Sequence, residues 1–86
     1  MSFPIEYDRQ PTKFLKKCER PIAKRIMEKI QSVLLNNPIP HDAKAIIGEH
    51  GVFRIRIGDY RALYRVNYKE RRVIIFKLEK RSKVYD

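Results

Sequence analysis

The sequence predicts an α+β domain with elements in the order β-α-α-β-β-β, an N-terminal helical hairpin packed on one face of an antiparallel meander sheet. Three observations carry that expectation. Apolar residues recur at helical spacing from about residue 9 to residue 35, the period switches to two between residues 52 and 79, and Gly58-Asp59 divides the first alternating stretch into two arms. A chain of 86 residues has room for one modest core, so residues 1–86 are expected to form a single domain.

Residues 3–7, Phe-Pro-Ile-Glu-Tyr, alternate apolar and polar and read as a short strand. Pro4 has no N–H to donate, which assigns that strand to a sheet edge. Asp8 suits the N-cap of a helix running to about Arg20, with Pro11, Phe14, Leu15 and Cys18 along one side. Pro21 suits the first turn of a second helix. Its apolar stripe is Ile22, Ile26, Met27, Ile30, Val33 and Leu34, opposite Lys24, Arg25, Glu28, Lys29 and Gln31. Asn36-Asn37-Pro38 ends it, and so few residues separate the two helices that they form an antiparallel hairpin. Residues 37–51, broken by Pro38, Pro40, Gly48 and Gly51, are loop-like, with Ala45-Ile46-Ile47 the one short stretch suited to a strand.

Val52–Ile57 and Tyr60–Val66 read as the arms of a hairpin whose glycine-first turn is type II′. Val73–Glu79 is a third strand after a polar turn around Lys69–Arg72. A two-residue turn fixes the register. Ile57 then opposes Tyr60, Arg56 opposes Arg61, Ile55 opposes Ala62, Arg54 opposes Leu63 and Phe53 opposes Tyr64. Phe53, Ile55, Ile57, Tyr60, Ala62, Tyr64 and Val66 therefore face the helices, and Arg54, Arg56, Arg61 and Arg65 face the other way. Ile74, Phe76 and Leu78 supply the apolar alternation of the third strand. With a second turn of odd length, that alternation puts Lys77, and by continuation Arg81, on the arginine side.

Charge points to a polyanionic partner. The chain has 20 Lys and Arg against 10 Asp and Glu, a formal net charge of +10. Residues 1–51 hold nine basic and six acidic residues, whereas residues 52–86 hold eleven and four, seven of the eleven being arginine. Arginine favours bidentate phosphate contacts over diffuse attraction. Directly opposed like charges cost roughly 0.2–1 kcal/mol, so folding gives no reason for Arg56 to face Arg61, whereas an anionic ligand does.

Other classes of function find no support. Cys18 is the only cysteine, which rules out an internal disulfide and leaves it a small core hydrophobe. His41 and His50 lie in the broken loop with no sequence reason to converge on the arginines, and read as surface histidines. Neither has a neighbour at metal-ligand spacing, so no metal or other cofactor is expected. No apolar run reaches membrane-spanning length, and the N-terminus, with Glu6 and Asp8, does not read as a signal peptide. A cytoplasmic location and no membrane partner follow.

With Val52-Phe-Arg-Ile-Arg-Ile-Gly-Asp-Tyr-Arg-Ala-Leu-Tyr-Arg-Val66 and the tail Leu78-Glu-Lys-Arg-Ser-Lys-Val-Tyr85, the chain resembles the RelE toxins of the RelE/ParE toxin–antitoxin superfamily over nearly its whole length. The resemblance implies a metal-independent, ribosome-dependent endoribonuclease that cuts messenger RNA in the ribosomal A site and so inhibits translation. It also implies a cognate RelB-like antitoxin, for which the charge calls for an acidic amphipathic segment. By the same resemblance Arg61 matches the arginine that stabilises charge on the scissile phosphate. Arg54 and Arg56 match a basic pair on the preceding strand, and Arg81 and Tyr85 match the C-terminal arginine and tyrosine. Arg56, Arg61, Arg81 and Tyr85 are thus the expected catalytic set, with Arg54, Arg65, Lys77, Lys80 and Lys83 extending the RNA-binding surface.

Two departures bear on chemistry. Some members carry lysines where this chain has Arg54 and Arg56, and the interval from Arg81 to Tyr85 is shorter than in some members. Arginine stays protonated at essentially any pH, so Arg56 is a poor general base, and proton transfer falls to Lys77, Lys80, Tyr85 or groups of the ribosome. Two other functions fit the same charge: inhibition of DNA gyrase, as in ParE-type relatives, and non-catalytic binding of RNA or the ribosome.

Overall fold

The computed structural model describes residues 2–81. Its elements in chain order are β1 (Ile5–Tyr7), α1 (Arg9–Lys17), α2 (Arg20–Leu34), β2 (Lys44–Ala45), β3 (Val52–Ile57), β4 (Tyr60–Asn67) and β5 (Arg72–Lys80). The strands form one sheet in the order β1-β5-β4-β3-β2. From β3 to β5 it is the expected three-strand antiparallel meander; β2 adds a fifth strand at the β3 edge, and β1 pairs with β5 in parallel, Ile5 opposite Val73 and Tyr7 opposite Ile75, so the sheet is mixed. The direction of an edge strand depends on where the helices return the chain, and neither turn chemistry nor hydrophobic period reports that.

The helices start where the sequence indicates. Asp8 occupies the N-cap of α1 without a side-chain capping bond, and Pro21 lies in the first turn of α2. Helix α1 stops at Lys17, three residues before the expected end, because Cys18 and Glu19 are both extended, with ψ of 153° and 146°. Those two residues separate the two helices, leaving Cys18 half-buried beside the core. Ile26, Ile30 and Leu34 are buried on α2, whereas Met27 is 44% exposed, so the buried stripe is narrower than the apolar one. Helix α1 lies against β5 and β1, and α2 against β3, covering one face of the sheet.

The β3–β4 hairpin has the expected register throughout, from Ile57 opposite Tyr60 to Phe53 opposite Tyr64. Gly58 at φ 59° supplies the positive dihedral that the first position of a type II′ turn requires, while Asp59 stays at ordinary φ. Ile55, Ile57, Ala62, Tyr64 and Val66 are buried under the helices. Each buried isoleucine or leucine contributes roughly 1.5–3 kcal/mol of transfer free energy.

The third long strand departs from expectation. The turn between β4 and β5 has four residues, Tyr68–Arg71, so Asn67 opposes Arg72 and the buried side chains of β5 begin with Val73 and Ile75 rather than Ile74 and Phe76. A bulge then shifts the register: Tyr64 opposes Ile75 and Leu63 opposes Lys77, leaving Phe76 without a directly opposed residue. Leu78 consequently returns to the core opposite Ala62. Lys77 thus reaches the arginine side as expected, through a bulge rather than through an odd-length turn. Strand β2 is Lys44–Ala45, shorter and one residue earlier than Ala45-Ile46-Ile47, and Ile47 is 99% exposed.

Two side-chain bonds fix the ends of this frame. The Gln10 amide donates to the Leu78 carbonyl oxygen at 2.8 Å and accepts from the Leu78 N–H at 2.8 Å, closing the edge of β5 where β1 no longer covers it. From the central strand β4 the Tyr64 hydroxyl donates to the Pro38 carbonyl oxygen. Among the described residues no helix is long and apolar enough to cross a membrane.

Candidate nucleic-acid interface

The sheet face away from the helices is organised in cross-strand rows. At the hairpin end, Arg56 on β3 opposes Arg61 on β4, which in turn opposes Glu79 on β5. The next row runs Lys44, Arg54, Leu63 and Lys77 across β2 to β5. A third places Val52, Arg65 and Ile74 side by side. Alternation along each strand therefore brings Arg54, Arg56, Arg61 and Lys77 onto one surface with Arg65.

Glu79 is the member of this face that the sequence expectation of Arg54, Arg56, Arg61, Arg65, Lys77 and Arg81 omitted. Its Oε1 accepts from Arg61 Nε at 2.8 Å, with the two side chains 20% and 30% exposed, and its Oε2 lies 3.8 Å from Lys77 Nζ. The signal was present in the sequence, since the parity that puts Lys77 and Arg81 on this face puts Glu79 there also.

Arg81 closes the hairpin end. Its N–H donates to the Asp59 carbonyl oxygen at 2.7 Å, and its Nη1 to that of Gly58 at 2.6 Å. The guanidinium is thereby fixed to the β3–β4 turn, at the end of the sheet where Arg56 and Arg61 stand. Arg65 is four residues along β4 from Arg61, roughly 13 Å at the usual rise per residue. There its guanidinium carbon lies 5.2 Å from the centre of the Phe76 ring, a cation–π contact at the bulged residue. Lys80 is not brought into the cluster: it opposes Tyr60, whose ring packs edge-on against Phe14 of α1, and so belongs to the helix side. Lys83 and Tyr85 lie outside the described residues.

One histidine sits differently from the expectation. His41, with Asp42, Lys44, Arg54 and Arg56, lines an open depression of about 470 Å³, so the loop before β2 folds over the β3 end of the arginine face. His50 is in the turn preceding β3 and does not line it. Among the described residues, no group of three or more His, Cys, Asp and Glu side chains is placed to hold a metal ion.

A second arginine site, at the far end of β5, differs in kind. Arg72 Nη1 donates to Glu6 at 2.8 Å and its Nη2 to Glu70, tying β1 and the β4–β5 turn to β5. Those hydrogen bonds, Glu6 first, hold the Arg72 proton more tightly than usual. Arg72 is thus an internal tie, held by carboxylates at both terminal nitrogens. Near Arg61 the balance reverses: among the described residues of its row and the next, Glu79 stands with Arg54, Arg56, Arg61, Lys44 and Lys77.

Comparison with known proteins gives a consistent picture. Residues 5–85 match the family described as the ParE toxin of a type II toxin–antitoxin system. A protein named as toxin RelE1 in Methanocaldococcus jannaschii is 35% identical, over 99% of this chain and 97% of its own. A chain of the archaeal RelE–RelB complex from Pyrococcus horikoshii superposes with a TM-score of 0.80 at 28% identity, covering 96% of this chain and 99% of that one. A chain of the RelBE2 toxin–antitoxin complex from Mycobacterium tuberculosis shares the fold, with a TM-score of 0.82 at 24% identity over 94% and 100% of the two chains.

Proposed function

The chain belongs to the ParE toxin family of type II toxin–antitoxin systems and is a RelE-like toxin, and from that premise we propose that it is a metal-independent endoribonuclease that cleaves messenger RNA in the ribosomal A site. The observation that carries the reading is the direct opposition of Arg56 and Arg61 on the sheet face away from the helices, with Arg54 one row away. With Arg54 and Lys77 beside them, the two guanidiniums outnumber Glu79, the described carboxylate that Arg61 binds, and the excess positive charge favours an anion.

Cleavage of RNA by its own 2′-hydroxyl needs that oxygen held in line with phosphorus and relief of the charge that builds on the phosphoryl oxygens. In this reading Arg61 and Arg56 supply the charge relief, and Arg54, Lys77 and Arg65 hold the flanking backbone. Arg81 braces the hairpin turn from which Arg56 and Arg61 project, and Tyr85 stacks on a base or orients the phosphate. Removing one such cation from a water-poor site typically costs ~10²-fold or more in rate. The ribosome supplies the substrate conformation.

The antitoxin partner follows from the same membership: the solved relatives from Pyrococcus horikoshii and Mycobacterium tuberculosis are toxin–antitoxin complexes. For this chain the net charge of +10 calls for an acidic, amphipathic RelB-like segment that offsets the arginine face. Toxin, antitoxin and ribosome would all meet in the cytoplasm.

Purified protein added to programmed ribosomes, with free RNA as control, tests the reading. Cut ends mapped to A-site codons, absent with free RNA and lost in Arg61→Ala, are the expected result. Gyrase inhibition without message cleavage would assign the chain to the other branch of its family, and ribosome binding without cleavage would leave a non-catalytic binding module.

A further inference from the structure

We propose that Glu79 is the proton acceptor for the attacking 2′-hydroxyl, held in place by the same guanidinium that grips the scissile phosphate; the assignment rests on the RNA cleavage proposed above. The cations of the face cannot take this role as they stand. Guanidinium and ammonium groups carry donors and no acceptor, whereas an ionised carboxylate carries only acceptors. In the two rows that hold Arg54, Arg56 and Arg61, Glu79 is the one carboxylate among the described residues.

Its geometry suits the task. Glu79 meets Arg61 at Nε, along the side of the guanidinium, 2.8 Å away. The two terminal nitrogens of an arginine form the fork that meets a phosphate edge-on. One planar group can therefore present the carboxylate along one edge and the phosphate along another, with the ribose oxygen between them. Reacting atoms must approach to about 3–3.5 Å, and a shared rigid plane fixes that relationship better than two independent side chains. Lys77 stands 3.8 Å from the second carboxylate oxygen and limits rotation away from Arg61. With the phosphate bound, two anions lie side by side, and moving a proton onto the carboxylate neutralises one of them.

The step balances without any further reagent. The O2′–H bond breaks and its proton passes to a Glu79 oxygen, while the freed electron pair forms the O2′–P bond. The P–O5′ bond breaks with its pair on O5′, which takes a proton from water. The products are a 2′,3′-cyclic phosphate and a 5′-hydroxyl, and Glu79 returns its proton to solvent.

Single-turnover cleavage on programmed ribosomes tests the assignment, using the full chain. Glu79→Gln keeps an oxygen that accepts from Arg61 Nε but cannot take the proton, so its rate should fall by ~10²–10⁴-fold with ribosome affinity unchanged. Glu79→Ala should fall comparably and recover in part with added formate, a small carboxylate that fits the vacated space, whereas Glu79→Gln should not recover. Glu70→Gln, at the remote Arg72 site, should cleave like the unsubstituted chain. Cleavage by Glu79→Gln within about threefold of the unsubstituted chain, or no response of Glu79→Ala to formate, overturns the assignment. Failure of the unsubstituted chain to cleave overturns the proposed function itself and removes this step with it.

Discussion

The hydroxyl of Tyr64, on a residue wholly buried in β4, donates a 2.8 Å hydrogen bond to the carbonyl oxygen of Pro38. Pro38 opens the loop that carries His41 and Asp42 over the β3 end of the arginine face, so the core reaches through this bond to the border of the site. Tyr64→Phe removes the donor and leaves the carbonyl unpaired, which should cost about 1–3 kcal/mol in urea unfolding. An unchanged midpoint would show that water replaces the hydroxyl.

Burial, and secondarily the neighbouring Tyr68, raises the Tyr64 phenol well above its ordinary value, and burial raises Tyr7 also. The unfolded phenols lose their protons near the ordinary value of 10 while the folded ones keep theirs. The stabilisation is therefore complete below pH 10 and falls as pH rises above it toward the folded values. Urea midpoints measured between pH 8 and pH 11.5 should decline only beyond pH 10, and Tyr64→Phe should decline less steeply.

Arg56 and Arg61 stand opposite each other on neighbouring strands. Arg56→Thr replaces one of two facing cations by a residue that strands favour, and should change stability by no more than about 1 kcal/mol. The same variant should lose ~10²-fold in ribosome-dependent cleavage. Stability and activity moving down together would show that the pair serves the fold.

Gln10 pairs with both backbone groups of Leu78, one residue before Glu79. Gln10→Ala leaves those groups to water at the edge of β5, costing about 1–2 kcal/mol. Amide exchange at Leu78 and Glu79 should accelerate more than at Val73 and Ile75, which β1 covers. Uniform acceleration along β5 would mean that the amide clamp supports the whole strand and not its end.

Much of the site was legible because the hairpin that carries it obeys a local rule. Gly58-Asp59 leaves one register open to β3 and β4, so the opposition of Arg56 and Arg61 followed from turn length alone. Strand β5 was legible in extent but not in phase. Val73, Ile74, Ile75 and Phe76 are all apolar, and which pair is buried depends on a four-residue turn and a bulge that no period records. The parallel pairing of β1 and the extension of the His41 loop onto the face are long-range outcomes of packing. Lys80 shows the limit of counting charge: two residues from Leu78 and one from Glu79, it belongs to the helix side by register. Glu79 could have been placed from parity, and was hidden by the cations around it.

The parallel seam between β1 and β5 joins the first strand of the described residues to the last. During synthesis, Ile5–Tyr7 emerges long before Arg72–Lys80, and until then it has no partner in the sheet. The row Arg56, Arg61 and Glu79 likewise lacks its third member until β5 is in place. The proposed catalytic row is thus a product of the finished sheet: it exists only once β5, made last among the described strands, has paired with β4.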